Sequence, residues 1–490
     1  GVMGVLALAC AASALAGHPP MPFESPWQHL GVATCAGSNC HGSQRPFDDS
    51  PVMQNEYFTW ERNDAHSNAF KLLQGADGKR IADNLGIKDA TKAEECLVCH
   101  TDYVAPAQRG RRYAMSEGVA CEACHGGAQD WLGPHVSGNS HQQNLDAGLY
   151  PLEDPVARTR LCLQCHLGTG DKPIDHRIMG AGHPPLEFEV GAFTLYQPEH
   201  FRVDADYLER KPAHVSGARL WAIGQIVAAQ LYLEELRSPR FKDHGLFPEL
   251  VFFDCNACHH PMRPPRWSTG TGGALDAGEP RLMDAYLVMS GAVLTVLTPD
   301  ASGRWQDGLR GLQQASRESV GKIQERAAAL SGLAEQSLQQ VGSQMIDKAQ
   351  TIALMQQVAR LGAGPRAADY TSAKQIYYAI DSLLAVRRPT TLKRLLGGLL
   401  IFLPGTVILA ITHYPEVTKA VEQKWPNLVA QRQKQEHKTK GSQRRKRTAL
   451  SISATKSIKK YDVSIVVKFD SYFFVRLYKL YLIIYMYMFT

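Results

Sequence analysis

The sequence has no strong excess of one charge. Its 490 residues include 53 Lys and Arg against 47 Asp and Glu, which gives a net charge of +6. Residues 424–468 hold 13 basic and two acidic residues, so the rest of the chain is slightly acidic. A balance of this kind gives no reason to expect nucleic acid as a partner, and we predict none.

Long apolar runs are also rare. Leu395 to Thr412 has 18 residues without a charge, the lower limit for crossing a bilayer, and Pro404-Gly405 interrupts it. The basic run that follows would satisfy the positive-inside tendency. We therefore predict that residues 389–490 form a membrane anchor with a basic tail. Because the composition shifts to Lys, Ile, Tyr, Phe and Ser beyond about Arg444, a non-native or chimeric extension is the alternative.

Cysteine is scarce outside one repeated pattern. Ten of the 11 Cys belong to that pattern, and the eleventh, Cys10, lies in an apolar N-terminal run, so no pair remains for a structural disulfide. Residues 1–16 resemble a signal peptide without its basic start, with Ala14-Leu15-Ala16 as the cleavage site. Residues 281–388 contain neither Cys nor His, which excludes a metal site built from these ligands there.

The repeated pattern is Cys-x-x-Cys-His, the attachment motif of a c-type haem, in which two thiols bond the porphyrin and the adjacent His binds its iron. It occurs four times in the strict form and once with four residues between the thiols. A zinc site or a redox-active cysteine pair would not explain a His after every second Cys. We therefore predict five covalently attached haem c groups. The attaching cysteines are Cys35 and Cys40, Cys96 and Cys99, Cys121 and Cys124, Cys162 and Cys165, and Cys255 and Cys258.

The iron ligand on one face of each haem should be the motif histidine. These residues are His41, His100, His125, His166 and His259. A second His on the other face would give an electron carrier, whereas an open face would permit substrate chemistry. Of the 11 further His between His18 and His260, those favoured by their sequence context are His66, His135, His176 and His183. His141, His214 and His244 are less favoured.

The spacing of the motifs limits the architecture. Residues 17–260 hold all five motifs, and this is too little polypeptide for five separate domains. The haems should therefore pack against one another and share the residues that surround them. We predict a mainly α fold with short haem-binding helices, loops and little sheet, in which Tyr57–Leu73 is a helix carrying His66. Residues 261–280 are rich in Pro, Gly, Ser and Thr, a composition that predicts a linker. Residues 281–388 should form a scaffold of about four helices.

Two stretches resemble the cytochrome c-554 family of multihaem cytochromes, which is related to the octahaem and pentahaem oxidoreductases. They are Gly118 to Gly127, around the third motif, and His176 to Glu189. The resemblance implies closely stacked haems, mostly with two His ligands, and allows one five-coordinate haem. It also implies that His66, His135, His176 and His183 are distal ligands. The fifth motif and the helical region depart from the tetrahaem pattern of the family, and no Cys-x-x-Cys-Lys occurs.

These observations favour a periplasmic electron-transfer protein with five haems. Electrons would pass between neighbouring haems, and the partners would be donor and acceptor redox proteins. The alternative is an oxidoreductase that acts on a small nitrogen or sulfur compound at one open iron. A third function, in which the helical part docks the haems onto a membrane complex, is compatible with the first.

Overall fold

A computed structural model of the protein describes residues 18–48, 52–201, 203, 208–209, 215, 217–242, 248–259, 279–364, 366 and 369–385. The signal region with Cys10, most of the linker, the apolar stretch after residue 394 and the basic tail lie outside these residues. So do five histidines: His214, His244, His260, His413 and His437. Within the described part of the chain, no helix is long and apolar enough to span a membrane.

The fold is mainly α-helical, as predicted from the sequence. The described residues contain no β-strand, only two isolated bridges, one between His29 and Arg109 and one between Phe253 and Leu282. They form two compact units, of which the first contains the described residues up to 355 and residues 378–385. The second contains those within 356–377. The boundary between a haem domain at 17–260 and a helical domain at 281–388 stays a prediction.

Short helices carry the first four motifs. Their bounds are Val32–Cys35 (α1), Glu56–Asn63 (α2), Ala69–Gln74 (α3), Ala76–Leu85 (α4), Glu94–His100 (α5), Cys121–His125 (α6), Leu132–Val136 (α7), His141–Asp146 (α8), Pro155–Leu163 (α9), His176–Gly180 (α10) and Val190–Tyr196 (α11). Single 3-10 turns lie at Pro22–Glu24, Ala65–Asn68, Pro106–Gln108, Met115–Glu117 and Leu250–Phe252. A π-helical turn, Gln164–Gly168, continues α9.

The remaining helices are longer. They are Gly217–Arg237 (α12), Pro239–Lys242 (α13), Cys255–Cys258 (α14), Ala285–Leu297 (α15), Pro299–Ala315 (α16), Val320–Ser343 (α17), Lys348–Ala363 (α18) and Tyr370–Ala385 (α19). The region predicted to hold about four helices therefore has five among its described residues. Helix α12 is buried on nearly all sides because α9, α15 and α17 pack around it.

The predicted helix Tyr57–Leu73 is wrong in one respect, because the chain leaves helical geometry at Asp64. The backbone there is extended (φ −94°, ψ 128°), and the Asp64 carboxylate accepts a hydrogen bond from the His66 backbone N–H at 3.0 Å. Asp is a favoured residue at a helix N-terminus because it satisfies such an N–H. The apolar periodicity continues across this break, so it could not reveal a separate turn carrying His66.

Candidate haem-binding site

The strict motifs are placed by helical geometry. Residues three and four apart lie on the same face of a helix, so Cys121, Cys124 and His125 share one face of α6. The second motif ends α5 in the same way. In the fifth motif, the His259 backbone N–H donates to the Cys255 carbonyl at 2.7 Å. One helical turn therefore presents both thiols and the imidazole together.

The first motif reaches a similar arrangement in spite of its two additional residues. Cys35 ends α1, the next residues form a turn, and the His41 backbone N–H returns to the Cys35 carbonyl at 3.1 Å. This is the bond that His259 makes to Cys255 in the strict motif. Gly42 closes the turn, where a side chain would lie only 2.0 Å from the Ala36 carbonyl oxygen. The wider loop thus keeps the relation between the first Cys and the His.

Four of the five motif histidines face a second histidine ring. The ring centres are 6.2 Å apart for His41 and His135, 6.2 Å for His66 and His166, 6.4 Å for His100 and His183, and 6.2 Å for His176 and His259. All four histidines favoured by sequence context as distal ligands are in these pairs.

This ring spacing is suitable for an iron between two imidazoles. A first-row metal lies about 2.0–2.1 Å from an imidazole nitrogen, which places the centres of two opposed rings about 6 Å apart. Two unliganded rings in direct stacking contact would be closer, as aromatic pairs begin at about 4.5 Å. The residues present therefore fit a haem iron with two axial histidines at four of the motifs.

The other ring nitrogen is occupied in several of these histidines. Nδ1 lies 3.0 Å from Glu56 Oε2 in His41 and 2.8 Å from Asp64 Oδ1 in His66. In His100 and His183 it lies 2.9 and 2.8 Å from backbone carbonyl oxygens. An Nδ1–H that donates to such an acceptor leaves Nε2 with its lone pair, which is the form that binds a metal.

The two carboxylates also set the charge around their histidines. The hydrogen bond that the His41 ring donates to Glu56 raises the pKa of His41, and the one that the His66 ring donates to Asp64 raises the pKa of His66. Burial alone would raise the pKa of the Asp64 carboxyl, but the hydrogen bonds from His66 lower it to about 2. Asp64 is therefore ionised at neutral pH and holds the His66 ring in place.

Motifs that are distant in sequence lie side by side. The thiol of Cys35 is next to that of Cys121, and the thiol of Cys99 is next to that of Cys165. Val32 and Ala120, which precede Cys35 and Cys121, pack in the same apolar cluster. The first motif thus adjoins the third, and the second adjoins the fourth. This agrees with the expectation that the haems pack against one another and share surrounding residues.

The third motif differs from the other four. No histidine ring among the described residues pairs with His125, and two of the less favoured candidates, His214 and His244, lie outside them. Burial lowers the pKa of the His125 imidazole to about 4, although the residue as a whole is exposed. His200 contributes to the electrostatic field at this ring.

Glu122, inside the third motif, is a buried anchor that sequence patterns did not indicate. Its carboxylate accepts hydrogen bonds from the backbone N–H groups of Leu30 and Gly31, each at 2.7 Å, and of Ala128 at 2.8 Å. The residue is only 2% exposed, and burial raises the pKa of its carboxyl. Glu122 thereby fixes α6 to the segment that leads into the first motif.

Two aromatic rings enclose His166 of the fourth motif. Phe188 stacks on it with ring centres 4.9 Å apart, and Phe193 lies at 5.6 Å. Glu189 orients both, since its buried carboxylate accepts from the N–H groups of Gly191 and Ala192 at the start of α11. Burial raises the pKa of Glu189 to about 7 and lowers that of His166 to about 4.

Other histidines have partners unrelated to the motifs. His29 is fully buried, with Nδ1 2.9 Å from Asp102 Oδ2. His141, weighed as a ligand from sequence, contacts the Glu153 carboxylate near the surface. These two histidines therefore have structural or surface roles.

A family model described as cytochrome c554 and c-prime matches residues 34–126, which include the first three motifs. Neither curated proteins nor solved structures gave a significant match to the chain. The matched residues contain the turn that holds the expanded motif, the helices of the second and third motifs and the Glu122 anchor. Over residues 34–126 the chain is a c-type cytochrome of the cytochrome c554 family, which carries covalently bound haem c and takes part in electron transfer.

Proposed function

We propose that this protein is an exported electron carrier with five haem c groups. The observation that carries the proposal is the set of four histidine pairs with ring centres 6.2–6.4 Å apart, each joining a motif histidine to a second histidine. Bound haem would supply a reversible one-electron couple at each motif. The ten motif cysteines would attach it.

The side chains supply selectivity for electron transfer over other iron chemistry. A histidine on both faces leaves no coordination position for a substrate, so each pair restricts its site to electron exchange. Glu56 and Asp64 hold their histidines in one tautomer and orientation, which keeps the ligand geometry constant during oxidation and reduction. The contact of Cys35 with Cys121, and of Cys99 with Cys165, brings neighbouring sites close enough to exchange electrons.

Covalent haem attachment also bears on where the protein works and on the kind of partner proteins it needs. Covalent haem attachment generally takes place outside the bacterial cytoplasm, which agrees with a signal peptide at residues 1–16 and with a periplasmic location. A carrier needs one protein that donates electrons and another that accepts them. Residues 389–490 would allow attachment to a membrane.

Haem stoichiometry tests the proposal directly. The mass of the purified chain should correspond to five covalent haems, and reductive titration should take up five electrons per chain. A Cys35→Ala/Cys40→Ala variant should retain four haems, because it removes both attachment points of the expanded motif. Cys10, the cysteine outside the motifs, lies in the predicted signal peptide and would be absent from the exported chain, so it does not enter this count. A count of four haems in the unsubstituted protein would show that Cys35 and Cys40 do not attach a haem.

A second candidate function is reduction or oxidation of a small nitrogen or sulfur compound. The observation that favours it is His125, which is exposed and has no paired histidine ring among the described residues. An iron with a free face can bind a substrate. Binding of cyanide or hydroxylamine to one haem of the ferric protein would support this function, and a complete lack of binding would exclude it.

A further inference from the structure

Lys172 is a buried lysine that the arrangement of motif residues leaves unexplained. It lies four residues after the Gln164–Gly168 turn, and only 8% of it is exposed. Lysine is almost never fully buried unless its charge has a compensating partner. Here the ammonium donates to the Val98 carbonyl and lies 4.7 Å from the centre of the Phe23 ring. Both contacts are uncharged, so the side chain brings a net positive charge into the interior.

The charge lies where two haem motifs meet. Val98 stands between Cys96 and Cys99 of the second motif, and the Cys99 thiol adjoins Cys165 of the fourth. The ammonium is close enough to act electrostatically on both Cys99 and Cys165. One lysine therefore faces two attachment sites that are far apart in sequence.

The backbone holds this lysine in place. The Lys172 N–H donates to the Thr169 carbonyl at 3.2 Å, and the buried Thr169 hydroxyl donates to Gln164 Oε1 at 2.6 Å. Gln164 belongs to the fourth motif, between its two cysteines. The turn that carries the charge is thus tied to the motif on which the charge acts.

We propose that Lys172 raises the reduction potentials of the two haems attached at Cys96/Cys99 and Cys162/Cys165, so that electrons prefer this pair. The inference rests on the proposed function. Reduction adds one negative charge at an iron, and a nearby fixed cation stabilises the reduced form. At an effective dielectric constant of about 20, a unit charge roughly 10 Å away changes such an equilibrium by about tenfold. Lys172 is a positioning residue, since it acts through the haem sites.

The test compares Lys172→Met with Lys172→Arg in the haem-loaded chain. Each haem is followed separately during a redox titration. In Lys172→Met, the ratio of reduced to oxidised form at a fixed potential should fall about tenfold for two haems, a shift of about 59 mV for a one-electron couple. Lys172→Arg keeps the charge, so the reduction potentials of these two haems should change by only a small fraction of that shift. Lys348→Met removes an exposed lysine from α18 and should change no potential.

The haem count by mass is measured for every variant. A chain without the five haems contradicts the proposed function, whereas a loaded Lys172→Met chain with unchanged potentials overturns only the inference about Lys172. An equal shift in all haems would also overturn it, since the charge would then act on no particular pair. If the methionine variant does not accumulate, Lys172→Gln gives the same readout, because its amide can still donate to the Val98 carbonyl.

Discussion

The ferric spectrum of a His66→Ala variant should contain one more high-spin haem than that of the unsubstituted protein. The His66 ring centre lies 6.2 Å from that of His166, and its Nδ1 is held by Asp64. Removing the imidazole takes away one axial ligand and leaves a methyl group that cannot bind iron. The affected haem should then bind cyanide in the ferric state or carbon monoxide in the ferrous state. Electron paramagnetic resonance of the oxidised protein measures the change.

A matched control comes from another histidine in the same part of the chain. His141 contacts Glu153 near the surface and faces no motif histidine among the described residues. His141→Ala should therefore leave the spin states unchanged. If His66→Ala keeps every haem low-spin, the pairing of His66 with His166 is not an axial ligand pair.

Replacement of Glu122 by alanine should be the most destabilising single change outside the iron ligands. The variant loses the acceptor for three backbone N–H groups, those of Leu30, Gly31 and Ala128. A buried donor left without a partner costs about 1–3 kcal/mol, so the total should be at least about 3 kcal/mol. Since proteins are stable by only about 5–15 kcal/mol, the yield of haem-loaded chain should also fall.

Denaturation with urea measures this loss of stability. The midpoint of unfolding should move to a lower urea concentration, while the slope of the unfolding free energy against urea concentration stays the same. Glu122→Gln retains an oxygen that can accept two of the three bonds and should lose less stability than the alanine variant. Glu61→Ala changes an exposed acid beside Arg62, and its free energy of unfolding should stay within about 0.5 kcal/mol of that of the unsubstituted protein. Equal midpoints for Glu122→Ala and Glu61→Ala would show that the Glu122 carboxylate does not anchor α6.

The local part of the site could be predicted from the sequence, because one helical turn brings together residues three and four apart. The motif cysteines and histidines themselves were predicted from the haem attachment pattern. Context also favoured His66, His135, His176 and His183, each of which lies beside a motif histidine. The pairing itself could not be predicted. His66 precedes the second motif yet faces His166 of the fourth, and no local pattern specifies a contact over that separation.

Residues that support the site were missed for a different reason. Glu122 and Lys172 have side chains that composition assigns to the surface, and only tertiary packing buries them. Asp64 was overlooked because the periodicity of residues 57–73 favoured an unbroken helix. The spacing Asp64-Ala65-His66 was the available signal, since an Asp two residues before a His can cap its N–H and bond its ring.

We infer that four irons in this protein are each held between two histidines. Magnetic circular dichroism of the fully oxidised protein in the near infrared tests it most directly, because the charge-transfer bands of low-spin ferric haem depend on the pair of axial ligands. We expect four bis-histidine haems per chain. Fewer than four, or bands typical of histidine–methionine ligation at these sites, would contradict it.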